Sequence, residues 1–194
     1  MNKRLPSNQG FSLVELLVTV TIVGILAGIS IADFSQRWGQ ERLLSASRHL
    51  QSWLDEQRRF AMQKGGTCQL TINETDAKLE ASPTTIQLRT TPPISTTPNI
   101  CEGQPAILIR DTVRNGSSIQ LSAIPTELQA IRFSFRGLSD GVMSNGSTAN
   151  SVELRLRLPN IRRERCVKVV NPLGMIRNGS ASDAQSSCSY SHSF

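Results

Sequence analysis

Histidine and the larger aromatics are scarce in this 194-residue chain: two His, one Tyr and two Trp. With so few imidazoles, a Ser-His or Cys-His nucleophile pair has little to be built from. No G-x-S-x-G, H-E-x-x-H, G-x-x-x-x-G-K-[ST] or G-x-G-x-x-G sequence occurs either. Hydrolase, zinc-peptidase, P-loop and dinucleotide chemistry are thereby without their residues, and the expectation is a protein that is not an enzyme. The four cysteines contain no C-x-x-C pair, and only His49 and His192 could assist them, so no metal or other cofactor is expected. "NETDAKLE" lacks the acid spacing of an EF-hand loop and reads as a hairpin turn. Aromatics are too few to form the stacking platform that single-stranded nucleic acids use.

What the chain does have is one long apolar run, "GFSLVELLVTVTIVGILAGIS", beginning at Gly10. As a helix, residues 11–32 would reach roughly 33 Å, against a hydrocarbon core of about 30 Å. Lys3 and Arg4 precede the run, which keeps the N-terminus in the cytoplasm and sends the rest outward. A secretory signal peptide has a shorter apolar part followed by a small-residue cleavage site. Here the small residue, Gly10, precedes the apolar block, so a cut after it leaves the helix on the mature protein. Glu15 stands inside the run, where a lone charge costs roughly 2.5 to 3.5 kcal/mol at the bilayer centre and less near an end. A new ammonium on Phe11, on the same or a neighbouring subunit, would be a partner for it; snorkelling to the headgroups is the alternative. Gly24 and Gly28 add a G-x-x-x-G spacing that permits close helix approach.

"KRLPSNQG" followed by "FSLVELLVTVTIVGILAGIS" resembles the class III signal of type IV pilins and type II secretion pseudopilins. The resemblance implies a leader (residues 1–10) that a prepilin peptidase removes after Gly10, methylation of Phe11, and Glu15 at the fifth mature position. There the acid sets the axial register of packed helices. Many major pilins carry a helix-loosening proline near the end of this segment, whereas "ISIADFSQ" has none, and the helix is expected to run on unbroken.

Beyond residue 32, apolar residues continue at helical spacing through Leu43, Ala46, Leu50, Trp53, Leu54, Phe60 and Ala61. Residues 33–66 are thus the amphipathic half of the same helix, stopped by Gly65 and Gly66. Trp53 and Phe60 read as core under a sheet. From residue 67 the period drops to two. "CQLTI", "TIQLRT", "AILIRD", "SIQLSA", "IRFSF", "VELRLRL" and "CVKVV" read as strands between Gly, Pro and Asn clusters. Asn115-Gly116 suits a tight hairpin turn, with Asn145-Gly146 and Asn178-Gly179 as turns of the same chemistry. "VELRLRL" places Val152, Leu154, Leu156 and Leu158 inward and Glu153, Arg155 and Arg157 toward solvent. The fold class expected is α+β: a long N-terminal helix, its second half laid on an antiparallel sheet or sandwich formed by residues 67–194.

Cys68, Cys101, Cys166 and Cys188 all fall in the part expected outside the cytoplasm, which favours disulfides. Three connectivities are open. Cys68 with Cys101 and Cys166 with Cys188 is favoured because each closes a local loop, the second tying the Ser-rich tail "SASDAQSSCSYSHSF" back to the last strand.

The formal charge is +6, and from Arg132 to Asn178 nine cations face three acids. Arg162, Arg163 and Arg165 in "NIRRER", beside Lys168, could form a cationic edge able to hold phosphates, or a solvated turn meeting an acidic neighbour.

The order of "FAMQKGGTCQLTI", "IRFSFRG" and "RCVKVVNPLGMIRNG" is similar to the pseudopilin H and FimT minor pilin group. In FimT members a Gly-Arg-x-Arg motif is associated with DNA capture; here Gly174-Met175-Ile176-Arg177 keeps the glycine and last arginine, with Met175 in place of the first. The resemblance implies a minor pilin or pseudopilin that enters, initiates or caps a type IV pilus or secretion pseudopilus. Its expected partners are other pilin subunits, the prepilin peptidase and an inner-membrane assembly platform. DNA is a further partner in the alternative reading, held by Arg162, Arg163, Arg165, Lys168 and Arg177. The expected location is the bacterial inner membrane, with the globular part in the periplasm, before transfer to a fibre.

Overall fold

The computed structural model describes residues 11–74, 77–81, 85–88, 95–109, 119–159, 161–183 and 186–190. Gly10 and the expected Asn115-Gly116 turn lie outside the described residues. Among the described residues a single helix, α1 (Leu13–Lys64), precedes strands that are antiparallel in every named pair. The chain divides into two compact units, Met1–Trp38 and Gly39–Phe194.

Within the second unit, α1 buries Leu43, Ser47, Leu50, Leu54, Gln57 and Ala61, spaced three or four residues apart, with Trp53 beside them. That spacing keeps one face inward while Arg48, Glu56 and Arg59 stay exposed. Gly39 extends the stripe; a side chain there would collide with Ile161. The helix stops where expected: Gly65 takes a left-handed φ of 67°, and the Gly66 N–H reaches back to the Ala61 carbonyl at 3.3 Å.

Two sheets and a ribbon complete the unit. The first sheet has the order β5 (Ile107–Leu108), β2 (Lys78–Ala81), β1 (Cys68–Asn73), β7 (Leu128–Phe133), β8 (Ser139–Met143) and β9 (Thr148–Ala149). The second runs β13 (Ser189–Tyr190), β12 (Met175–Ala181), β11 (Glu164–Val170), β10 (Ser151–Arg157) and β6 (Gln120–Ile124). A separate two-stranded ribbon pairs β3 (Thr85–Leu88) with β4 (Ser95–Pro98). Leu70, Leu79, Ile131 and Phe133 of the first sheet join Val152, Leu154, Leu156, Val167 and Val169 of the second and the α1 stripe in one core. The architecture is α+β, a helix on antiparallel sheets.

Two expectations need correction. Asn178-Gly179 is not a turn but the middle of β12. A glycine is required there because a Cβ would lie 2.7 Å from both the Tyr190 ring and the Ser189 carbonyl; a close crossing by the tail has the same residue signature as a turn. The alternation of "VELRLRL" is met on its inner side, with Val152, Leu154, Leu156 and Leu158 buried. Its outer side is not open to solvent at Glu153 and Arg155, whose side chains are only 16% and 15% exposed. Asn145-Gly146 does form a turn, with Gly146 at φ 77° and the Asn145 side chain accepting the Ser147 N–H at 2.8 Å.

Candidate functional site

The start of α1 is built by a cap. Ser12 Oγ accepts the Glu15 N–H at 3.2 Å and the Ser12 carbonyl accepts the Leu16 N–H at 3.2 Å. Ser12-x-x-Glu15 is thus the pattern that satisfies the loose donors of a helix N-terminus, and it puts Glu15 in the first turn, where the helix dipole favours an acid. Glu15 has this local role besides any intermolecular one. The S-x-x-E spacing is the signal in the sequence that indicates it.

Every large apolar side chain from Phe11 to Leu26 is exposed, from 47% at Val18 to 82% at Phe11. The polar groups among them are satisfied internally: the Thr19 and Thr21 hydroxyls donate to the Leu16 and Val18 carbonyls at 2.9 and 2.8 Å. Side chains built at Gly24 and Gly28 would meet nothing within 4 Å. Among the described residues, no helix is long and apolar enough to cross a membrane. The apolar run of the sequence continues past Gly28 into positions whose side chains are outside the described set.

The cysteines form two disulfides, Cys68–Cys101 and Cys166–Cys188, with Cα separations of 5.1 and 6.4 Å. The first joins the start of β1 to the loop after β4; both sulfur-bearing residues are fully buried. The second ties the tail to β11, where β13 adds to the sheet edge. The ligand atoms of Glu153, Cys166 and Cys188 lie close together, but both sulfurs are spent in the disulfide and offer no thiolate to a metal.

Strand register divides the five cations singled out in the sequence. Arg162 and Arg163 are exposed between β10 and β11. Arg165 has the parity of the buried Val167 and Val169, and so shares the face of the sheet that meets α1. Lys168 and Arg177 are register partners of opposite parity and lie on the other face. There Lys168 stands across from Glu153, its ammonium 5.4 Å from the centre of the Tyr190 ring. Arg155 Nε donates to Glu153 at 2.7 Å, and both Arg155 and Arg157 lie within 4 Å of the buried Glu164. Tyr190 donates its hydroxyl to Glu153 at 2.5 Å; burial, then this bond, raises its pKa well above the ordinary tyrosine value. For Arg165, burial together with Arg163 and Arg48 lowers the pKa from its ordinary value, while Glu41 pulls the other way.

Gly174, the glycine of the "GMIR" stretch, has a packing reason of its own. It takes φ 65°, and a Cβ would collide with the Gly137 carbonyl, the same oxygen that accepts Arg58 Nε at 2.9 Å. This contact draws two loops together and leaves Phe135, Leu138 and Leu173 exposed on them.

The family model described as the prokaryotic N-terminal methylation motif matches residues 5–31. Over 59 residues the chain is 36% identical to the type IV major pilin protein PilA of Myxococcus xanthus (strain DK1622), a match covering 30% of this chain and 27% of that protein. No solved structure matches.

Proposed function

We propose that this chain, whose N-terminal motif and likeness to a major pilin support the type IV pilin superfamily, is a minor pilin or minor pseudopilin. In this reading the prepilin peptidase cuts after Gly10 and Phe11 becomes the methylated N-terminus. Residues 11–32 hold the protein in the inner membrane, with residues 67–194 in the periplasm. An assembly platform then passes it into, or to the tip of, a type IV pilus or a type II secretion pseudopilus. Its work is structural, with no catalytic step.

The observation that carries the reading is the capped start of α1: apolar on every side, with a single acid in its first turn. A surface of that kind needs lipid or other helices around it, and a freshly made amine at Phe11 suits the acid. The minor rather than major role is supported by the order of the later motifs and the missing helix proline. Mass spectrometry of the protein purified from membranes tests it: the expected species begins at N-methylated Phe11, and an uncut chain in cells with active prepilin processing overturns it.

A second reading, DNA capture during uptake, is favoured by the exposure of Arg162 and Arg163 beside Arg165. Lys168 and Arg177 belong to the opposite face and would not join the same duplex contact. A salt-dependent mobility-shift assay decides it, since phosphate contacts weaken steeply with ionic strength.

A further inference from the structure

Between α1 and the edge of the second sheet lies a cavity of about 410 Å³, within the range that small-ligand sites occupy. Its construction follows from register. Arg165 pairs with Ser180, and Ser180 with Ser189, so these three side chains form one row across β11, β12 and β13. Opposite them, Arg48 and Gln51 project from one face of α1, three residues apart. Asn178 closes the floor, its Nδ2 donating to Ser47 Oγ and Gln51 Oε1, each at 3.2 Å.

Both guanidiniums line this cavity, and Arg48 is close enough to add to the burial and the Arg163 charge that disfavour the charged form of Arg165. Among the described residues neither lies within ion-pair distance of a carboxylate, although the arginines of the opposite face, Arg155 and Arg157, do. Glu41 acts on Arg165 from outside that distance and leaves the local balance positive. Two unpaired guanidiniums and two serine hydroxyls lining one cavity suit a tetrahedral oxyanion, which takes several charge-assisted hydrogen bonds at once. The cavity is too large for a bare oxyanion alone, and the remaining wall sets the amides and hydroxyls of Gln51, Asn178, Ser180 and Ser189 beside one apolar side chain, Leu44, which suits a mainly polar body with an apolar face, such as a sugar.

We propose that this cavity binds a phosphate-bearing small ligand, its oxyanion between Arg48 and Arg165 and its polar body against Gln51, Asn178, Ser180 and Ser189. The proposal goes beyond the assembly role and does not depend on it. The test is calorimetric titration of the full chain in detergent micelles with inorganic phosphate, ribose 5-phosphate, acetate and a short DNA duplex. Saturable phosphate binding is expected, tighter for ribose 5-phosphate, and weakened about tenfold or more by Arg48→Gln or Arg165→Gln. Lys168→Gln, on the other face, is expected to leave it unchanged. Arg48 is exposed, so Arg48→Gln reports on binding even if Arg165→Gln disturbs the fold. Acetate binding as tightly as phosphate, loss of binding with Lys168→Gln equal to that with Arg165→Gln, or binding of the duplex alone would each overturn the proposal.

Discussion

Up to Gly28, α1 exposes its apolar side chains in every direction, whereas between Gly39 and Lys64 the same helix gathers them into one stripe and buries it. Burying a Leu, Val, Ile or Phe is worth about 1.5–3 kcal/mol. The later stretch collects that free energy from its own sheets, while the earlier one leaves it uncollected within the chain. One stretch is thus completed by the domain it belongs to, while under the proposed function the other is completed by lipid or further helices, which makes folding and assembly separable.

Glu15→Val puts this contrast under the greatest strain. Incorporation in fibres, followed by immunoblot of sheared material, is expected to be lost, while the melting temperature of the Gly39–Phe194 unit is unchanged. A drop in melting temperature would show that the acid serves folding instead. Next in size is a matched pair of truncations. Leu54→Ala, in the fully buried stripe, should destabilise by about 2–5 kcal/mol in denaturant titration. Leu17→Ala, 58% exposed, should leave that titration unmoved.

Tyr190→Phe probes the tail that covers the outer face of the second sheet. Removing the bond to Glu153 should cost about 1–2 kcal/mol at neutral pH. The folded chain holds the Tyr190 proton more tightly than the unfolded chain, so this contribution is complete below about pH 10 and shrinks as pH rises toward the raised folded value. The wild type should thus lose stability more steeply than Tyr190→Phe between roughly pH 9 and 11, read by thermal melts. The smallest effect expected is a gain. Gln57 is 1% exposed, and its Oε1 has no hydrogen-bond partner among the described residues. Gln57→Met should raise stability by about 1 kcal/mol, and a loss would mean that the amide is satisfied by a bound water.

Elements with a local signal are legible from residue order alone. The stripe of α1 has a period that no strand shares, "KGG" supplies the left-handed stop, and "VELRLRL" alternates without a break. β8 and β12 are not legible in this way, for a physical reason: "SDGVM" and "MIRNGSA" contain glycines that elsewhere mark turns. Here Gly141 makes room for Val152 and Leu128, and Gly179 for Tyr190. The cap at Ser12 is legible, since it depends on a three-residue spacing alone.

Residue order is enough to specify the apolar start, the acid within it, the length and inner face of the helix, and the strand character of β1, β3, β5, β6, β7, β10 and β11. These properties depend on neighbours within a turn or two along the chain. That Arg165 faces α1, while Lys168 and Arg177 face away with Glu153 and Tyr190, is a matter of three-dimensional packing. The parity of a strand says which residues share a face, but which face meets the helix depends on what each strand pairs with and packs against far along the chain.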